Sequence, residues 1–223
     1  LLAGISDRSA REQQQLSLLQ TEAERTSIEI MAKTLNVNLM GAIELLGLID
    51  PQIKQEASSG LIAKDAHVLS TLTTLANFFG AQGALIVSKD GIVMSNWDRK
   101  NTPATGFDVR FRPYYQIAMQ GQSNVYAAVS MTNADRSLYF TSPVYSEPTK
   151  ASTSIGAVVA LTDVSHIDTL LKSRFDIALL LSPQGLVFAS SRPDWIGMMA
   201  EKVATQRLAE IRALKQFGTM FAD

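Results

Sequence analysis

The sequence of 223 residues predicts an α+β fold, in which a long N-terminal helix precedes two units built on antiparallel sheets. Three observations predict it: a Pro-free stretch over residues 6–49 with apolar residues at helical spacing, two matching hairpin motifs, and three successive strands joined by short loops. With 46% hydrophobic and 18% charged residues, the chain has the composition of a folded globular protein. Its length permits one large domain or two small ones, and the repeated hairpin favours two.

The long helix is predicted to begin at a capping box over residues 9–12 and to end at Asp50-Pro51, because Pro cannot continue a helix. Its apolar residues recur at spacings of three and four, which indicates one buried face. That face either lies on the core of the same domain or forms the seam of a parallel homodimer. The residues of this predicted seam are Ile28, Met31, Leu35, Ala42, Leu45 and Ile49.

Two stretches predict nearly identical β-hairpins, at residues 84–95 and 178–189. They align without a gap, and Gly91 matches Gly185 in the turn, where a positive φ favours glycine. Their separation corresponds to one small α/β unit, which indicates an internal duplication; chance similarity of two apolar hairpins is the alternative. We therefore expect a helical stalk at residues 1–56, a first unit at 57–172 and a second, incomplete unit at 173–223.

The remaining elements follow from turn residues and periodicity. Short loops between successive strands predict an antiparallel sheet, and Asp163 stands where a helix N-cap belongs. The predicted helices cover residues 57–79, 113–120, 167–171 and 200–215, and the predicted strands between the hairpins cover residues 125–130, 137–145 and 155–162.

Composition excludes several classes of function. A net charge of -1 without a basic block gives no electrostatic footprint for nucleic acid, and the absence of Cys excludes disulfides, thiolate metal sites and a Cys nucleophile. No apolar run reaches the length of a membrane span. Because the chain begins at Leu1 and not at Met, we expect it to be a fragment from which a membrane segment has been removed.

Catalytic motifs are scarce. The sequence contains no nucleophile elbow, phosphate-binding loop or zinc-protease motif, and nothing places a nucleophile or a carboxylate against His67 or His166. We therefore predict no catalytic residues, no metal and no cofactor. A hydrolase or isomerase that uses an unrecognised carboxylate is the alternative.

One stretch between the hairpins concentrates groups that could bind an anion. Arg offers a planar fork of donors to a carboxylate, Tyr adds a hydroxyl on an apolar wall, and a helix N-terminus exposes backbone N–H groups. Period-two alternation adds polar residues from the strands that follow. The alternative is that the tyrosines are core residues and the arginines cap loops. The predicted ligand-binding residues are Arg110, Arg112, Tyr114, Tyr115, Tyr126, Ser130, Asn133, Tyr139 and Thr141.

At these residues the sequence resembles the periplasmic double Cache (tandem PAS-like) sensor domains of bacterial transmembrane receptors, and most of all the dicarboxylate-sensor type found on histidine kinases. Four stretches carry the resemblance in order along the chain: residues 111–121, 139–144, 156–164 and 186–195. The resemblance implies two tandem PAS-like units, the second incomplete, and a ligand pocket in the first, membrane-distal unit.

The resemblance also implies that Arg112 binds a ligand carboxylate. Dicarboxylate sensors of this type commonly carry a Lys at the position of Leu161, and a hydroxyl-bearing pair near Met131 and Asn133. Without that cation and those hydroxyls, a dianion would be poorly neutralised. A monocarboxylate or another small metabolite is therefore the expected ligand.

The predicted function is ligand sensing outside the cytoplasm, in a receptor of the bacterial inner membrane that signals through the N-terminal helix. The output domain is expected to be a histidine kinase; a diguanylate cyclase and a chemoreceptor are the alternatives, and so is a ligand-free dimerisation module. The expected partners are a small carboxylate and a second copy of the chain, paired through the N-terminal helix. The domain would be tethered to the membrane, and no nucleic acid is expected.

Overall fold

The computed structural model describes residues 13–15, 18, 38–59, 65–131, 134–147, 153–174, 176–213 and 216–220. The chain divides into two compact units, Leu1–Leu39 and Met40–Asp223, and the elements described below belong to the second. The predicted capping box and the seam residues Ile28, Met31 and Leu35 lie outside the described residues. The boundaries expected after residues 56 and 172 stay predictions.

Asp50 both ends one helix and begins another. The helix over residues 40–49 stops directly before it, as predicted. The Asp50 carboxylate then accepts two hydrogen bonds of 3.0 Å from amides of the following turn, which caps helix α1 at Pro51–Ser59. The prediction that the next helix starts only at Ala57 is therefore wrong, because the Asp-Pro pair is a start signal as well as a stop signal.

Helix α2, at Ala66–Phe79, has a cap at each end. The Asp65 side chain accepts hydrogen bonds from the amides of His67 and Val68, and Gly80 ends the helix in the left-handed conformation at φ 64°. The predicted C-terminal end at Phe79 is thus confirmed. The sequence-based expectation of one helix over residues 57–79 overlooked the Asp65 cap.

Two described residues of the predicted seam, Leu45 and Ile49, lie on the exposed side of the helix over residues 40–49. Leu45 and Ile49 are 54% and 57% exposed, whereas Ile43 is fully buried. A strip of large apolar side chains on the outer face of a helix is typical of a surface that another chain covers. Pairing of two copies along this seam stays a prediction.

Five strands form one sheet: β1 at Gly83–Ser88, β2 at Val93–Asp98, β3 at Asn124–Val129, β4 at Arg136–Tyr145 and β5 at Ser154–Asp163. Their order is β2-β1-β5-β4-β3 and all neighbours are antiparallel, which confirms the predicted antiparallel architecture. The order is not sequential, because β1 lies between its hairpin partner β2 and the distant strand β5.

The two faces of this sheet carry different elements. Alternate residues of a strand point to opposite faces, so Ala157 and Val159 of β5 join the core beneath helix α3, at Pro113–Met119. On the other face, Gly156 lies directly against Ala57 of α1. One face therefore packs α1, and the other is left to α3 and the cavity beside it.

The C-terminal part of the chain is smaller. It contains helix α4 at Ser165–Arg174, a two-stranded sheet of β6 at Leu179–Leu181 and β7 at Val187–Ser190, and helix α5 at Thr205–Ala213. The last helix is thus shorter than the predicted 200–215: it begins at Thr205, and residues 214–215 lie outside the described chain. A second apolar core, which includes Phe188 and Phe217, joins β7 to the chain end.

The repeated hairpin is confirmed down to individual hydrogen bonds. The Ser88 hydroxyl accepts bonds of 3.3 and 3.2 Å from two amides of its turn, and the Ser182 hydroxyl accepts the same pair at the same distances. Gly91 and Gly185 each donate a 2.9 Å bond to the carbonyl of that serine, at φ 74° and 83°. Two equivalent turns therefore stand in different surroundings.

Glu56 of α1 is a buried carboxyl group that its surroundings compensate only in part. It is 3% exposed, and neither carboxyl oxygen makes a hydrogen bond of full geometry. Burial raises the pKa of Glu56, and the nearby Asp65 carboxylate adds to that effect, while Ser95 opposes it. With the folded-state pKa raised, the stabilising contribution is complete below the ordinary pKa of glutamate. It is lost as the pH rises through the folded-state pKa.

We therefore expect Glu56→Gln to raise the free energy of unfolding at pH 7 by about 1 kcal/mol, and to raise it less at pH 4. Urea denaturation of both proteins at the two pH values measures this difference. Glu210→Gln, on the exposed surface of α5, is the control and should change neither value. A Glu56→Gln protein less stable than the parent at pH 7 would contradict the prediction.

Candidate functional site

A small cavity of about 70 Å³ opens on the face of the sheet that carries α3. Its apolar wall comes from β1, β2 and β5, and includes Leu85, Val93 and Leu161. Its polar wall includes Arg112 at the start of α3. A pocket with apolar walls and a few convergent polar groups is the usual form of a small-molecule site.

Arg112 is the central polar group of this cavity. It is the N-cap residue of α3, and Pro113 follows it in the first helical turn, where the missing N–H has no cost. The side chain is 2% exposed, and its Nη2 donates a 3.3 Å hydrogen bond to the carbonyl of Val129. Its Nη1 is buried and has no hydrogen-bond partner. A buried guanidinium nitrogen in this state favours an added acceptor, such as a carboxylate.

Two tyrosines form the aromatic wall beside Arg112. The rings of Tyr114 and Tyr139 stack with 4.9 Å between centroids and 13° between planes, and both line the cavity. Burial raises the pKa of both hydroxyl groups, so they remain neutral hydrogen-bonding groups. Ser130 also lines the cavity and interacts with Tyr139. The structure thus brings four predicted site residues together.

Three other predicted residues are placed differently. Arg110 is exposed and forms an ion pair of 2.6 Å with Asp108, and its guanidinium lowers the pKa of that carboxyl to about 2. The Tyr115 hydroxyl donates a 2.7 Å bond to the carbonyl of Lys89 and so ties α3 to the first hairpin. The Tyr126 hydroxyl donates to the side chain of Gln216, close to the chain end.

The last two predicted residues give the cavity no described contact. Thr141 is fully buried on β4, and its hydroxyl has no hydrogen-bond partner, but it is not part of the cavity wall. Asn133 lies outside the described residues. A binding role for any of the nine residues stays a prediction.

Charged residues at the mouth of the cavity were missing from the sequence-based prediction. Lys100 forms an ion pair with Asp135, which raises the pKa of the lysine, and Asp98 and Asp163 lie near enough to add to that effect. All four line the cavity. Each of the four lies in a loop or at the end of a strand. They come together only through the order of the strands in the sheet, so no local sequence pattern predicts that they line one cavity.

Asp163 has the structural role predicted for it. Its carboxylate accepts a 2.8 Å hydrogen bond from the amide of Ser165 at the start of α4. Burial alone would raise the pKa of Asp163, but the hydrogen bonds from Ser165 outweigh burial and hold the pKa below its usual range. The carboxylate is therefore ionised at neutral pH while it lines the mouth of the cavity.

The described part of the chain offers no group of three or more His, Asp or Glu side chains that could hold a metal. His67 contacts the Asp50 carboxylate at 3.1 Å, and neither residue lines the cavity. Among the described helices, none has the length and apolar character needed to cross a membrane.

Comparison with known proteins finds relatives of this chain in sequence and in fold. The chain is 29% identical over 164 residues to the C4-dicarboxylate transport sensor protein DctB of Pseudomonas aeruginosa, a match that covers 73% of this chain and 26% of that protein. The sensor domain of the V. cholerae histidine kinase DctB superposes with a TM-score of 0.71 at 22% identity, over 92% of this chain and 78% of that domain. No family model matches.

This is the fold of a bacterial receptor sensor domain. The ligand-binding domain of the Campylobacter jejuni chemoreceptor Tlp3, solved with L-valine, has a related fold, with a TM-score of 0.52 at 13% identity over 88% of this chain and 76% of that one. The resemblance to Cache sensor domains and the α+β fold are thereby confirmed. The chain spans about a quarter of the length of the curated relative it matches.

Proposed function

We propose that this sensor domain lies outside the cytoplasm in a membrane-tethered receptor of the bacterial inner membrane, and that it binds a small molecule through one carboxylate at Arg112. The observation that carries the proposal is the buried side chain of Arg112, which lines the cavity and whose Nη1 has no hydrogen-bond partner. A charged donor in this state gains more from a ligand acceptor than an exposed arginine would. The relatives named for C4-dicarboxylate sensing support the sensor role.

The charges around the cavity favour a ligand with one carboxylate over a dicarboxylate. Leu161 contributes an apolar wall where dicarboxylate sensors commonly have a Lys. At the mouth, three carboxylates surround Lys100, which is already paired with Asp135. A second ligand carboxylate would therefore meet net negative charge, whereas an ammonium group would be attracted. The Tlp3 complex with L-valine shows that a related fold accepts such a zwitterion.

The proposed output is a histidine kinase, with the long N-terminal helix as a route for the signal and a second copy of the chain paired along it. Ligand binding can shift such a receptor only through different affinities for its two states. A diguanylate cyclase or chemoreceptor output is the alternative, because the chain contains only the sensor part.

A thermal-shift screen of monocarboxylates, α-amino acids and C4-dicarboxylates tests the ligand class. We expect acetate or L-alanine at millimolar concentration to raise the melting temperature, and succinate to leave it unchanged, because only the single carboxylate finds a cation. A melting temperature that rises with succinate but with no monocarboxylate would overturn the proposal that the ligand carries one carboxylate. No rise with any compound in the screen would favour the ligand-free dimerisation module.

A further inference from the structure

Gln216 is a fully buried polar side chain next to the end of the chain, at 0% exposure. Its Nε2 donates a hydrogen bond to the carbonyl of Ala127, and its Oε1 accepts one from the hydroxyl of Tyr126. Its backbone carbonyl accepts a 2.8 Å bond from the amide of Val129. Gln216 therefore holds three residues of β3 at once.

β3 is an edge strand of the large sheet, so its outer backbone groups would otherwise face solvent. The segment over residues 216–220 covers part of that edge, and Phe217 enters the second apolar core beside Phe188 at 6.2 Å between ring centroids. Gly218 lies against Val129, so close that a Cβ there would be 3.3 Å from the valine Cγ1. The segment is thus packed on β3 as well as hydrogen-bonded to it.

Val129 links this segment to the cavity. Its amide bonds to Gln216, and its carbonyl is the acceptor for Nη2 of Arg112 at 3.3 Å. One residue of an edge strand therefore lies between the proposed carboxylate-binding group and the C-terminal segment. A movement of Arg112 toward a ligand would weaken its hydrogen bond to the Val129 carbonyl. Conversely, the hydrogen bond between Gln216 and the Val129 amide helps to fix the position of that carbonyl.

We propose that Gln216 is a positioning residue, which couples occupancy of the Arg112 cavity to the docking of residues 216–220 on β3. Coupling of this kind is reciprocal: a change at Gln216 alters binding at the cavity, and binding alters the docking of the segment. The claim that ligand binding alters the docking of residues 216–220 rests on the proposed function. The coupling between Arg112 and that segment also acts without ligand. It would give the protein a route for a signal through residues 216–220, in addition to the proposed route along the N-terminal helix.

Three variants with matched losses test the coupling. Gln216→Met keeps the length and apolar packing of the side chain but removes both of its hydrogen bonds to β3. Tyr126→Phe removes the hydroxyl that donates to Gln216 and that also accepts a 3.4 Å hydrogen bond from Gln184. Tyr145→Phe is the control: it removes a buried tyrosine hydroxyl that bonds to the carbonyl of Gly121 at 3.2 Å, away from Gln216.

The first readout separates affinity from stability. By titration calorimetry with L-alanine, we expect the dissociation constant to rise about fivefold in Gln216→Met and about twofold in Tyr126→Phe. Tyr145→Phe should lower the melting temperature without changing the dissociation constant. A lowered melting temperature with an unchanged dissociation constant in Gln216→Met would show that Gln216 is merely structural, and would overturn the proposal.

The second readout needs no ligand and so distinguishes failure of the coupling from failure of the proposed function. In Arg112→Met without ligand, we expect the amides of residues 216–220 to exchange hydrogen at least about threefold faster than in the parent, while those of β6 and β7 keep their rates. If L-alanine does not bind the parent protein, the proposed ligand class is wrong, and the exchange rates alone test the coupling. Unchanged exchange at residues 216–220 would then overturn the coupling.

Discussion

Replacing Arg112 by Met is expected to abolish stabilisation of the protein by the proposed carboxylate ligand, with an affinity loss of about hundredfold or more. A charge-assisted hydrogen bond in a buried site contributes far more than one at the surface, because water competes for neither partner. Met fills much of the volume of the arginine stem, so the aromatic wall of Tyr114 and Tyr139 should remain packed. Calorimetric titration with whichever monocarboxylate or amino acid the thermal screen identifies measures the loss.

Arg110→Met is the matched control, because it removes an arginine two positions earlier in the same motif. The structure places Arg110 on the surface in an ion pair with Asp108, outside the cavity wall. We expect its removal to change the affinity by less than about twofold, since exposed ion pairs contribute little. Equal losses in the two variants would contradict the assignment of the site to Arg112, and so would a full response in Arg112→Met.

Gly156→Ala is expected to destabilise the fold by about 3 kcal/mol, which lowers the melting temperature by roughly 10 °C. A Cβ at this position would lie 2.3 Å from the carbonyl oxygen of Val87 and 2.8 Å from the Cβ of Ala57. Neither neighbour can give way cheaply, because one is the backbone of β1 and the other belongs to α1, which would have to leave the sheet. The φ of 154° adds backbone strain. Thermal and urea denaturation of the variant measure the effect.

Gly121→Ala separates backbone strain from steric overlap. Gly121 also has a positive φ, at 81°, but a Cβ there would meet no atom within 4 Å. We expect a loss of about 1 kcal/mol, from the left-handed backbone alone. If the two variants were equally destabilised, the close packing of α1 on Gly156 could not be the cause.

Local signals in the sequence predict much of this fold. Both hairpins follow from apolar runs around a Gly turn, and the three strands after α3 follow from short polar loops between apolar runs. The helix starts were less predictable, because Asp50 reads as a stop signal only and Asp65 lies within a stretch that reads as continuous helix. A stop signal and a start signal can be the same residue, and only the hydrogen bonds of its carboxylate distinguish the two.

The cavity residues that belong to one sequence motif could be predicted. Those that only the strand order brings together could not. Arg112 and Tyr114 belong to one short motif, and alternation along β4 adds Tyr139. Lys100 and Asp135 are far apart in sequence and meet only because of the order of strands in the sheet. Tyr126 shows the converse: alternation predicts its face correctly, but no local pattern reveals that the chain end supplies the partner of its hydroxyl.

The unpaired Nη1 of Arg112 also bears on how this protein can evolve. A buried guanidinium with one nitrogen unpaired makes the fold less stable than an apolar core of the same shape would be. Selection for stability alone would therefore disfavour this arginine. The same cost makes the melting temperature sensitive to binding at Arg112, since a bound acceptor would pair with Nη1 and stabilise the fold.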